Sequence, residues 1–186
     1  MRNIVKIFVV FGIAALTACA PSLHPFFTDK DIVFNESLLG VWMDDSGATC
    51  KFARSGDSHY ELLLLDEKPA RFEARLFELG GVTFLDLYPK PLGDEINLYP
   101  ENFAPAHSLA RVTIGEDSIS IAMMQGDWLK QLSDRNHLDL KHERIGDDRI
   151  ALTASTRDLQ AFALKHADNK EAFGEATVFH RIRAGD

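Results

Sequence analysis

Short runs in which apolar and polar side chains alternate, each closed by turn residues, fill most of the chain after residue 40. The clearest spans residues 70–79: Phe72, Ala74 and Leu76 fall on one face, Arg71, Glu73 and Arg75 on the other. A period of two marks a half-buried strand. Gly80-Gly81 then supplies the two-residue turn of a hairpin, and residues 82–88 return. Upstream, residues 48–54 and 59–66 flank the turn Ser55-Gly56-Asp57-Ser58, and Glu67-Lys68-Pro69 ends the second of them. Downstream of a loop punctuated by Pro89, Pro91, Gly93, Pro100 and Pro105, residues 107–114 and 118–124 form another pair about Gly115-Glu116-Asp117. Residues 138–145 and 149–153 pair through Gly146-Asp147-Asp148, and residues 176–183 read as the last strand.

Two segments follow a helical period instead. Trp128, Leu129 and Leu132 cluster on one side of a short helix over residues 126–133. Leu159, Phe162, Ala163 and His166 sit at i, i+3, i+4 and i+7 behind the capping run Ser155-Thr156-Arg157-Asp158. Asp158 near the start and Lys165 near the end suit the helix dipole. The pattern predicts a mainly β fold: an antiparallel meander of eight to ten strands closing into a barrel, with one helix before the last strand and a short helix near Trp128. Closure removes the unpaired edges a free sheet of that size would expose.

The first residues follow another logic. Arg2 and Lys6 precede an uncharged apolar run over residues 7–16, then Leu16-Thr17-Ala18-Cys19. The run is shorter than the about 20 residues a membrane-spanning helix needs, and the layout is that of an export signal. Leu16-Thr17-Ala18-Cys19 resembles a bacterial lipobox, in which the cysteine receives a diacylglycerol and becomes the mature N-terminus. The resemblance implies a signal peptide over residues 1–18, lipidation at Cys19, and a lipidated N-terminus and tether over residues 19–37. Residues 38–186 then make one β-barrel-like domain. Two or three acyl chains anchor stably where one is marginal, so the bilayer is the first expected partner. Ala20 is not the aspartate that retains lipoproteins at the inner membrane. The expected location is the cell envelope, at the outer membrane facing the periplasm. Pro21 and Pro25 favour a semi-extended tether, and the apolar Phe26, Phe27, Ile32, Val33 and Phe34 are expected to lie against the domain.

Charge narrows the partners. Arg2 and Lys6 fall within the first 18 residues, which leaves 168 residues with 18 basic and 28 acidic side chains, a net charge of −10. That argues against nucleic acid and against electrostatic docking on anionic lipid. With Cys19 acylated, Cys50 has no partner in the chain. Beside Phe52 on the apolar face of a strand, it reads as a small buried hydrophobe.

Gly40-Val41-Trp42 opens the strand region, and here the chain resembles the lipocalins. These begin their first strand with Gly-x-Trp, close one barrel end with the tryptophan, and pack an arginine across it from the junction of the last barrel strand and a helix. Residues 150–157 run into the helix in the same order, so the resemblance implies Trp42 and Arg157 as the barrel-closing pair. It covers the two ends of the domain. His24-Pro25-Phe26-Phe27-Thr28-Asp29-Lys30-Asp31 and residues 152–160 also resemble a group of uncharacterised bacterial lipoproteins, a likeness that implies no activity.

Candidate chemistry adds little. His137 and His142 lie five apart, and no His-Glu-x-x-His pattern surrounds them. Asp44-Asp45 and Asp147-Asp148 sit in turns without the glutamate that ends a calcium loop. No Gly-x-Ser-x-Gly elbow and no glycine-rich loop opening a helix occurs. No metal, cofactor or catalytic residue is therefore expected. Three functions remain: a barrel holding an apolar small ligand, a filled-core module that docks an envelope protein, or an enzyme. The first is the expected one. The last requires a cleft where several of His59, His107, Asp86 and Glu73 converge.

Overall fold

A computed structural model describes residues 21–65, 69–92, 105–146 and 149–183. Eight antiparallel strands close into a barrel: β1 (Gly40–Asp44), β2 (Thr49–Arg54), β3 (Tyr60–Leu65), β4 (Ala70–Leu79), β5 (Val82–Lys90), β6 (Ser108–Ile114), β7 (Ser118–Met123) and β10 (Thr177–Arg181). The first seven pair with their chain neighbours, and β10 slots between β7 and β1 to shut the ring. Leu79 and Val82 face each other across Gly80-Gly81, whose φ angles of +55° and +82° are the pair a tight hairpin demands.

The remaining elements lie outside the ring. α1 (Gly126–Asp134), the hairpin β8 (His142–Ile145) and β9 (Arg149–Leu152), α2 (Thr156–Lys165) and a short α3 (Lys170–Phe173) connect β7 to β10. The hairpin is thus not part of the barrel, although the sequence places it among the strands of the meander.

Two cores result. Lumen-facing side chains, among them Trp42, Phe52, Tyr60, Leu62, Leu85 and Val112, pack into one cluster. Outward-facing Phe77, Phe84, Leu109 and Ala122 pack against Trp128, Leu129, Leu152, Leu159, Phe162 and Phe173. Stacking of Phe77 on Phe84, with ring centres 5.6 Å apart, and contact of Phe84 with Phe173 at 6.0 Å tie the layers together. Burial on both faces explains why β5 reads as a nearly continuous apolar run rather than an alternating one.

Among the described residues, the N-terminal segment is docked from Pro21 onward, five residues before the apolar run that suggested it. Leu152 donates its N–H to the Pro21 carbonyl, and Ser22 bridges to His107 through two backbone bonds of 2.9 Å. The segment then runs down the outer wall. Val33 donates to Leu76 and Glu78 to Asp31, which covers the edge of β4 beyond its pairing with β3. Asp31 also accepts from Thr28 and from Gln160 of α2, and these bonds hold its carboxyl below the usual range.

Candidate functional site

One end of the barrel is plugged. A 3-10 turn, Glu36–Leu38, drops Leu38 fully buried into the lumen, capped by the Asn35 side chain on the Ser37 N–H. Trp42 lies beneath it, also fully buried, and donates Nε1–H to the Leu38 carbonyl at 2.9 Å. Across Trp42 lies a guanidinium, but it belongs to Arg181: its carbon is 4.1 Å from the ring centre. The same group donates Nη1–H to the Leu39 carbonyl at 2.9 Å and Nη2–H to the Ser37 carbonyl. Arg157 is exposed in the first turn of α2. The expected Trp42–Arg157 pair is corrected to Trp42–Arg181. Its physical reason is that β9, which leads to Arg157, stands outside the ring, whereas β10 lies beside β1 with Arg181 directly opposite Trp42.

Gly40 completes the closure. Its φ is +130°, and a Cβ there would stand 2.9 Å from Arg181 Nη1. The first residue of Gly40-Val41-Trp42 is therefore set by the arginine that covers the third. Beside it, Phe34 stacks on Tyr60 with centres 4.6 Å apart, and Arg54 lies over Phe34 at 3.9 Å. Tyr60 donates its hydroxyl to the Asn35 carbonyl and accepts from the Asn35 N–H. Burial pushes the phenol above its ordinary value.

The middle of the lumen is packed, while a cleft of about 670 Å³ opens beside the plug, lined by Val33, Phe34, Leu76, Val112 and Ile114. Trp42, Phe52, Tyr60, Leu62, Leu85 and Val112 each expose no more than 3% of their surface. An eight-stranded barrel is just wide enough for side chains to fill or for one small ligand, and here these six side chains fill its middle. Cys50 is sealed in the same cluster, and burial, with Asp44 nearby, pushes its thiol up to about 12. At the other end, the mouth, Leu64, Ala70, Ile121, Met123 and Phe179 are only partly buried.

On the outer wall, three of the four candidate enzyme groups come near one another. Asp86 is 1% exposed; its Oδ1 lies 2.7 Å from His107 Nδ1 and its Oδ2 accepts the Phe26 N–H at 2.9 Å. Tyr88 packs on the His107 ring at 4.8 Å. Glu73, opposite Tyr88 on β4, is paired with Arg75 at 2.9 Å and Lys90 at 3.0 Å. Burial raises its pKa, but Lys90 and Arg75 outweigh that and hold it below the ordinary value. His59 is elsewhere, at the β2–β3 turn against Gly56. Both carboxylates are thus committed: Asp86 to fastening the N-terminal segment, Glu73 to two cations.

No protein-family model, curated protein or solved structure matches the chain. The site therefore rests on its own geometry. Asp44 accepts from the Ser46 N–H, the Ser46 hydroxyl and the Ala48 N–H, which is the turn chemistry expected of it. His142 is tied to Ser133 at 2.8 Å and to the Leu140 carbonyl at 2.7 Å. Among the described residues no group of three or more His, Cys, Asp or Glu is placed to hold a metal. No described helix is long and apolar enough to cross a membrane. Cys19 lies outside the described residues. Sequence reasoning missed Arg181, although its position near the end of the last strand, two residues after Phe179 on the same face, was a usable signal.

Proposed function

We propose that the protein is an envelope lipoprotein, acylated at Cys19 and held at the outer membrane facing the periplasm, that acts without catalysis as a docking module built on a filled barrel. The observation that carries the docking reading, in preference to an internal ligand, is the middle of the lumen, where Trp42, Phe52, Tyr60, Leu62, Leu85 and Val112 have almost no accessible surface. The commitment of Asp86 and Glu73 to structural partners supports a non-catalytic wall. Leu16-Thr17-Ala18-Cys19 behind its apolar run supports the anchor. Native mass spectrometry of the detergent-extracted protein tests the filled lumen. The chain is expected to fly at its own acylated mass, and one apolar small molecule per chain would overturn the reading. Cross-linking in intact cells should yield one stoichiometric protein adduct.

A second reading has one observation in its favour. The ring of Leu64, Ala70, Ile121, Met123 and Phe179 at the mouth is apolar and only partly buried, a surface on which part of a lipid-like molecule could rest. It predicts weak binding that is lost when Met123 and Phe179 are both replaced by serine.

A further inference from the structure

We infer that the mouth end of the barrel is the face laid against the bilayer, with the plugged end pointing away from it. The inference rests on the proposed acylation of Cys19. Pro21 is already fastened to Leu152, and Ser22 to His107. Two residues of extended chain reach at most about 7 Å, so an acylated Cys19 leaves the body no free tether. The position of Pro21 therefore decides which face meets lipid. His107 immediately precedes the start of β6, and β6 starts at the mouth. The anchor and the mouth share one end.

The distribution of apolar surface agrees independently. Six large apolar side chains are markedly exposed among the described residues, and four of them, Leu23, Met43, Leu65 and Val178, belong to this end. Leu23 follows the Ser22 bridge, Leu65 ends β3, Met43 lies opposite Thr49 at the start of β2, and Val178 is the second residue of β10. At the opposite end lie the exposed Glu36 of the plug and the turn Gly115-Glu116-Asp117. Acidic Asp44 and Asp45 also stand at the mouth, so attraction to anionic lipid is not the cause. Short reach and apolar contact are.

The test uses the full acylated chain in vesicles of phosphatidylethanolamine and phosphatidylglycerol that carry a headgroup spin label. A fluorophore is placed at Leu65→Cys or at Glu116→Cys. Cys50 can stay, since it is sealed in the core, and the Cys19 sulfur is consumed by the thioether to lipid. Strands of six residues rise about 20 Å along their length. Tilted by about 40°, they put the two probes about 15 Å apart along the barrel axis. Quenching at position 65 is expected to be several-fold that at position 116. A ten-residue Gly/Ser insertion between Ala20 and Pro21, about 17 Å in root-mean-square span, should bring the two together. Equal quenching, or more at position 116, overturns the orientation, and quenching that the insertion leaves unchanged overturns short reach as its cause. A chain that takes up no palmitate at Cys19 overturns the anchor as well; an acylated chain with equal quenching overturns the orientation alone.

Discussion

Arg181→Ala removes the clamp on the plugged end without touching the lumen-filling side chains. Three interactions are lost. Stacking of the guanidinium on Trp42 at 4.1 Å is worth about 0.5–1 kcal/mol, more where water is excluded. Hydrogen bonds from a charged donor contribute about 1.5–3 kcal/mol each. Two are present, to Leu39 and Ser37, and the second is exposed and must be discounted. A loss of about 3 kcal/mol follows, a large part of the 5–15 kcal/mol, roughly, that holds a domain folded. Urea unfolding followed by tryptophan fluorescence reads it directly: with slopes of about 1–3 kcal/mol per molar, the midpoint should fall by about 1–3 M. Arg181→Lys keeps the charge but not the planar fork, and should recover only part of the loss. Arg157→Ala is the control. That side chain is exposed on α2, and its removal should change stability by less than about 0.5 kcal/mol. If Arg157→Ala lowers the midpoint as much as Arg181→Ala does, the assignment of the barrel-closing arginine is wrong.

Gly40→Ala should lose about 1–3 kcal/mol from backbone strain alone, and more while Arg181 is present, because the new Cβ meets Nη1 at 2.9 Å. Pairing it with Arg181→Ala in a double-mutant cycle should show the steric part vanish. Cys50, with its thiol pushed up to about 12, should resist iodoacetamide at neutral pH until urea unfolds the chain; labelling of the native protein at the rate of a free thiol would contradict its burial. Asp86→Ala leaves the Phe26 N–H and His107 Nδ1 without their partner, a loss of about 1–3 kcal/mol. Limited proteolysis should cut faster within residues 21–34, and an unchanged rate would show that the segment is held by something else. His166 sits 5.0 Å from the Trp128 ring and 4.5 Å from Phe162. Burial, then Lys165, lowers its pKa from 6.5. Neutral when folded, it binds a proton more readily unfolded, so its contribution is complete above 6.5 and is lost as pH falls through the folded value. His166→Leu should flatten stability against pH across that window, as read by urea midpoints.

The sequence by itself determined the elements. Alternation of Phe72, Ala74 and Leu76 with Arg71, Glu73 and Arg75, the Gly80-Gly81 turn and the spacing of Leu159, Phe162 and Ala163 are local patterns. Strand pleat and helical turn act within a few residues, so such patterns can be read without the fold. The closed, mainly β architecture was legible for the same reason: many half-apolar strands on short connections have few ways to hide their edges. What lay beyond reach was decided between residues distant in the chain. Residues 138–145 and 149–153 read as one more pair of meander strands, yet β8 and β9 form a hairpin outside the ring, because Phe77, Phe84 and Leu109 give the wall a second apolar face that must be covered. Only that choice moves Arg157 away from Trp42 and brings Arg181 over it, 139 positions along the chain from its partner. The plug of Glu36–Leu38 and the fastening of Phe26 to Asp86, 60 positions away, are likewise contacts of the finished fold. A local pattern shows which face of a strand is apolar; what covers that face is settled only when the barrel closes.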